Sequence, residues 1–95
     1  MSKSIYQQHI ISKIRKLRQE NGYSQQKIGT LLGVSNGQVG NIESLTRPHK
    51  YTLKQIKTLC HHFNIRIEQL FLDDEDYQNA DIIELLINKI IEYGE

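Results

Sequence analysis

Three amide side chains fall close together in the segment Ser35-Asn36-Gly37-Gln38-Val39-Gly40-Asn41-Ile42-Glu43-Ser44. Asn36, Gln38 and Asn41 each carry one hydrogen-bond donor beside one acceptor, the combination that matches N6 and N7 of adenine. If the segment is a helix turning about 100° per residue, with Val39 at the centre of its inward face, then Ser35, Ile42 and Glu43 share that side. Gly37, Asn41 and Ser44 lie opposite, flanked by Gln38 and Gly40, and Asn36 projects from the first turn. Each amide also has a plainer use as a solvated surface group or a cap. The two glycines admit two readings. Either the surface is loosely selected, or the missing side chains let the backbone approach a base-bearing partner closely, so that few direct contacts form and the partner's shape matters more. The loop that follows, Thr46-Arg47-Pro48-His49-Lys50-Tyr51, adds Arg47 and Lys50, which are assigned to phosphates; Lys27, Lys54 and Lys57 read as solvated charges.

The charge distribution supports a polyanionic partner. Residues 1–72 hold 11 Lys or Arg against 3 acids, whereas residues 73–95 hold one Lys against 8 acids. The body is therefore +8 and the tail −7, hidden beneath a net charge of +1. A basic body meets polyanions and an acidic tail is held away from them. The only cysteine, Cys60, has no partner within the chain, in keeping with a reducing compartment. Met1-Ser2-Lys3-Ser4 opens on a polar, basic stretch, and no apolar run approaches the roughly 18 to 20 residues of a membrane span. A cytosolic protein without a membrane partner is expected.

Other chemistry is set aside. Cys60-His61-His62 suggests a metal site at first sight, but adjacent helical residues point about 100° apart and no second cluster stands at ligand spacing. The glycines at 29, 33, 37 and 40 follow no strand and precede no P-loop lysine. No set of nucleophile, base and acid is recognisable, so neither a cofactor, a metal nor an enzymatic activity is expected.

The elements that must position these residues read as helices throughout, with no sustained period-2 run. Tyr6, Ile10, Ile14 and Leu17 recur at helical spacing, and Asn21-Gly22 closes that first helix. Three helix starts then share one local grammar, in Tyr23-Ser24, Val34-Ser35 and Tyr51-Thr52. In each, a hydroxyl able to accept from first-turn N–H groups follows an apolar residue, and Ile28, Val39 or Ile56 completes a hydrophobic staple. Gln38 and Gln55 extend two of these into capping boxes. The helices are predicted at Gln25 to Leu32, Asn36 to Ser44, Leu53 to Phe63 with Leu53 inward, and Ile67 to Leu72. Gly33, Val34 and Ser35 alone separate the second and third, a connection suited to a steep helix-turn-helix crossing.

The run Tyr-Ser-Gln-Gln-Lys-Ile-Gly-Thr-Leu-Leu-Gly-Val-Ser-Asn-Gly-Gln-Val-Gly-Asn-Ile-Glu, from Tyr23 to Glu43, resembles the lambda-repressor-like (XRE, Cro-type) helix-turn-helix family. The likeness extends over roughly residues 10–72, with Leu59 to Ile65 and Glu68 to Phe71 resembling the family's last two helices. It implies an all-α, five-helix lambda-repressor-like DNA-binding domain over residues 1–72, followed by an additional C-terminal helix in an acidic segment, 73–95. It further implies that residues 35–44 form the recognition helix in the major groove of double-stranded DNA, and that Gln25 meets a phosphate. Arg18 and Glu43 match a structural ion pair of the family. Base reading is thus assigned to Asn36, Gly37, Gln38 and Asn41, and phosphate contact to Ser24, Gln25, Ser35, Ser44, Arg47 and Lys50. The family's frequent glycine soon after the glutamate is replaced by Ser44-Leu45, which leaves the conformation of the next loop open. The expected function is transcriptional regulation, with repression the sign implied by the resemblance.

A sixth helix is predicted from about Tyr77 to Tyr93, preceded by Asp73-Asp74-Glu75-Asp76. Ile82 to Ile91 holds seven Ile or Leu in ten residues, and Ile83, Leu86, Ile90 and Tyr93 form a stripe that Ile82, Leu85, Ile87 and Ile91 widen. A face this wide leaves several hundred Å² exposed unless something covers it. The preferred reading packs one side on the chain's own domain and pairs the other with a second copy through Ile82, Ile83, Leu86, Ile87 and Ile90. Such a homodimer presents two recognition helices about 34 Å apart and calls for a pseudo-palindromic operator. Two alternatives stay open: a tail folded wholly onto its own domain, and a different protein partner, as in an antitoxin or adaptor.

Overall fold

The computed structural model describes residues 3–95 and is helical, with no strand among the described residues. Its helices are α1 (Ile5–Glu20), α2 (Gln25–Leu32), α3 (Asn36–Glu43), α4 (Leu53–His62), α5 (Ile67–Phe71) and α6 (Ile82–Gly94), with a 3₁₀ turn at Asp74–Gln78 before α6. The predicted caps form: Ser24 Oγ accepts from the Lys27 amide, Ser35 Oγ from Gln38 and Thr52 Oγ1 from Gln55. Gln55 returns a bond to the Thr52 amide, but Gln38 makes no such return, so only the second box is complete. α1 starts on a box of its own, Ser4 with Gln7.

The connection between α2 and α3 depends on two glycines. Gly33 ends α2 at φ 72°, a left-handed conformation that costs side-chain-bearing residues roughly 1 to 2 kcal/mol. One turn earlier, a Cβ on Gly29 would lie 2.7 Å from the Val34 carbonyl oxygen, so only glycine lets the turn fold this tightly over α2. The Val34 amide then donates to the Gly29 carbonyl at 2.9 Å. These constraints set α3 across α2 with Val39 and Ile42 inward, against Ile10, Ile14, Ile28 and Tyr51 in a single core.

α4 and α5 extend this core through Ile56, Leu59, Leu70 and Phe71. Leu53, expected inward, is 41% exposed, because it is the first residue of α4 and overhangs the packed part of the helix. Cys60 is buried whereas His61 and His62 face solvent, so the three side chains do not converge.

The sixth helix starts later than the sequence indicates. Asp76 Oδ2 accepts from the Asp73 amide at 2.8 Å and Asn79 Oδ1 from the Asp81 amide at 2.8 Å. Short polar side chains here satisfy the backbone locally and displace the first predicted turn of helix. Lys13 anchors the segment by donating to Leu70 O and Asp73 Oδ1, both at 3.0 Å, and the Asp73 carboxyl is held below its usual pKa chiefly by that bond. No helix among the described residues is long and apolar enough to cross a membrane.

Candidate nucleic-acid interface

α3 is clamped from within and bare on the outside. Val39 and Ile42 are buried, while Asn36, Gly37 and Gln38 are exposed and Asn41 is half-buried. The side-chain amides of Asn36, Gln38 and Asn41 find no hydrogen-bond partner among the described residues, so their donors and acceptors are available to a ligand. Neither glycine of this helix is demanded by the fold. A Cβ on Gly37 would meet nothing nearer than Ser35 Oγ at 4.0 Å, and one on Gly40 would rest 3.5 Å from Gln25 Oε1.

The ion pair expected from the sequence is present and forms the centre of a larger network. Arg18 Nε and an Arg18 terminal nitrogen donate to the two Glu43 oxygens at 2.7 and 2.9 Å, and Arg18 also donates to Tyr23 O at 2.9 Å. The pair is largely shielded, with side-chain exposures of 11% and 5%. Arg15 stands 3.8 Å from the same carboxylate, a contact that sequence reasoning missed. The fork geometry fixes the end of α3 relative to α1 and the chain entering α2.

Gln25, expected at a phosphate, donates through Nε2 to Glu43 Oε1 at 3.0 Å, so its side chain bridges the start of α2 to the end of α3. Ser24 and Ser35 spend their hydroxyls as caps at the starts of α2 and α3, and both are exposed. Ser44 Oγ and Thr46 Oγ1 are 3.0 Å apart and order the loop after α3.

The two loop cations part company. Arg47 is exposed, and its guanidinium has no partner among the described residues. Lys50 is turned the other way: its ammonium sits 3.2 Å from both Tyr93 O and Gly94 O and 5.6 Å from the Tyr93 ring centroid. Lys50, expected at a phosphate, thus lies against the carbonyls that end α6, where the helix dipole favours a cation. Lys3, which the sequence gives no role beyond a polar, basic start, is 4% exposed and donates to Ser44 O and Arg47 O. No local pattern announces that contact, because its partners lie 41 and 44 residues away.

α6 divides its apolar surface. Tyr93 is buried in the core and Leu86 and Ile90 pack against it, whereas Ile83, Ile87 and Ile91 are 67%, 51% and 53% exposed. Of the residues expected to pair two copies, Leu86 and Ile90 are thus turned largely to the chain's own domain and Ile82 is half-buried, leaving Ile83 and Ile87 outward. Ile91, left out of that set, completes an outward stripe at every fourth residue.

A family model described as helix-turn-helix matches residues 14–70, from the middle of α1 to the last turn of α5. No curated protein and no solved structure gives a significant match to the chain.

Proposed function

Because this chain belongs to the lambda-repressor-like, XRE-type helix-turn-helix family, we propose that it is a sequence-specific transcriptional regulator that binds double-stranded DNA as a homodimer and has no enzymatic activity of its own. One observation carries the reading: α3 offers three amides free of internal partners on a face held rigid from behind by Val39, Ile42 and Glu43. In this reading residues 35–44 lie in the major groove, Asn36, Gln38 and Asn41 contact base edges, and Gly37 allows close approach. Phosphate contact falls to Arg47, to Ser44 and to the first-turn amides and hydroxyls around Ser24, Gln25 and Ser35. Repression is the sign assigned, since a bound dimer can block a promoter without any further surface. A DNA partner and a single buried free thiol support a cytosolic location.

The outward stripe of α6 supports the dimer. Ile83, Ile87 and Ile91 are symmetric about Ile87, so an antiparallel second copy sets Ile83 against Ile91 across a two-fold axis. Glu84, Asn88 and Glu92 run beside the stripe, and like charges there favour a basic partner instead. Magnitudes decide between them. Exposed charge pairs contribute about 0.2 to 1 kcal/mol, whereas burying an isoleucine contributes about 1.5 to 3 kcal/mol, so hydrocarbon outweighs repulsion. The partner-protein reading, an antitoxin or adaptor, rests on those acids.

Selection of bound fragments from a random DNA pool tests the proposal. The wild type is expected to return a pseudo-palindromic motif, and a variant with Asn36→Ala, Gln38→Ala and Asn41→Ala to lose it. An identical motif from the variant removes α3 as the reader, and no motif from the wild type overturns the regulator.

A further inference from the structure

The loop from Ser44 to Tyr51 joins the recognition helix to α4, and both of its ends are tied to the termini of the chain. At its start Lys3 reaches across from the residue before the α1 cap and donates to Ser44 O and to Arg47 O, the latter at 2.6 Å. Ser44 is the C-cap of α3, where carbonyls without helical partners concentrate negative potential and a cation is favourable. At the loop's far end the Tyr93 hydroxyl donates to Tyr51 O at 2.8 Å, and Lys50 closes on the last carbonyls of α6. Gln7 links the two ties: its side chain accepts from the Ser4 amide and donates to Tyr93 O at 2.8 Å.

A lysine this deeply buried is uncommon, and its ammonium must recover lost hydration from the groups it meets. Here those groups are two carbonyls three residues apart on either side of the Ser44–Thr46 turn, so the ammonium fixes the backbone that carries Arg47. The Arg47 guanidinium itself points to no internal partner among the described residues, which makes its backbone the only thing that aims it.

We propose that Lys3 is a positioning residue for DNA binding: without touching DNA, its ammonium sets the loop after the recognition helix so that Arg47 meets a phosphate in register with α3. The inference rests on the DNA-binding reading above. Holding the loop in advance means that its ordering is not a cost of association.

The test measures affinity of the full chain for its selected DNA fragment against salt concentration, with folding followed by urea titration. Lys3→Met, which keeps the stem and loses the ammonium, is expected to weaken binding about tenfold and to flatten the slope of log affinity against log salt by about one, as Arg47→Ala does. Lys3→Arg, which keeps a cation, is expected to retain more of both. The double variant Lys3→Met with Arg47→Ala is expected to lose no more than Arg47→Ala alone, because both act on one contact. A double variant flattened by about two overturns the proposal, since Lys3 then meets a phosphate itself. Wild-type affinity and slope in Lys3→Met overturn it too, as does a Lys3→Met chain that fails to fold, which makes the ammonium a requirement of the fold. If the wild type binds no selected fragment, the DNA-binding reading itself has failed, a result distinct from all of these.

Discussion

α3 and α6 each seat an apolar face on the same core, Val39 and Ile42 from one and Tyr93 with Leu86 and Ile90 from the other, yet they leave opposite chemistry to solvent. Outside, α3 shows amides and glycines, and α6 shows Ile83, Ile87 and Ile91. The inner faces explain why the helices stay where they are. The outer faces differ because nothing in the fold requires them; the proposed function assigns DNA to the amides of α3 and a second copy to the hydrocarbon of α6.

The largest effect should come from the inner face of α6. Tyr93 is 1% exposed, stacks edge-on against Phe71 at 5.8 Å and donates to Tyr51 O, so Tyr93→Ala is expected to cost about 3 to 5 kcal/mol by urea titration. Ile87→Ala, on the same helix but outward, is expected to change monomer stability by no more than about 0.5 kcal/mol. Equal losses would mean that the outward stripe is part of the monomer's core and that the division of α6 is wrong.

Ile87→Glu comes next and acts between copies. It places a charge at the centre of the proposed two-fold contact, next to Glu84, and removes an apolar contribution from each chain. Sedimentation across the micromolar range should show dissociation to monomer, an effect of about 3 kcal/mol on pairing, with the helical signal unchanged. A wild type that is already a strict monomer defeats the dimer.

A smaller effect is expected on the side of α3. Glu43→Gln leaves Arg18 with one acceptor fewer and no opposing charge in a site that excludes most water. A fully buried pair broken in this way costs about 3 to 5 kcal/mol; the partial exposure of Arg18 reduces the expectation to about 2 kcal/mol. Since Gln25 also loses its charged acceptor, DNA binding should fall further than stability alone accounts for, which a comparison of fragment affinity with urea midpoint detects.

What could be read from the sequence follows the range of the interactions. The caps at Ser24, Ser35 and Thr52 and the turn at Gly33 depend on neighbours within a few residues, and each lies where local spacing puts it. Arg18 with Glu43 is a distant pair, legible only because a familiar pattern surrounds it. Lys3, Gln7 and the inward turn of Lys50 have no such pattern: all three depend on where the end of α6 and the loop after α3 come to rest. The late start of α6 has a different reason, a local competition in which Asp and Asn side chains bond the backbone ahead of the apolar stripe that begins at Ile82.

The smallest effect separates two glycines that look alike in the sequence. Gly29→Ala forces a Cβ to 2.7 Å from the Val34 carbonyl and must open the turn, so it is destabilising. Gly37→Ala meets open space in a helical backbone, and the gain in helix propensity should raise stability by about 0.5 to 1 kcal/mol. If Gly37 is glycine because α3 approaches DNA closely, the more stable variant binds its selected fragment more weakly, and thermal melting and fluorescence anisotropy will move in opposite directions. Stability and affinity rising together would show that the outer face of α3 tolerates a methyl group, and the contrast with α6 would then rest on the amides alone.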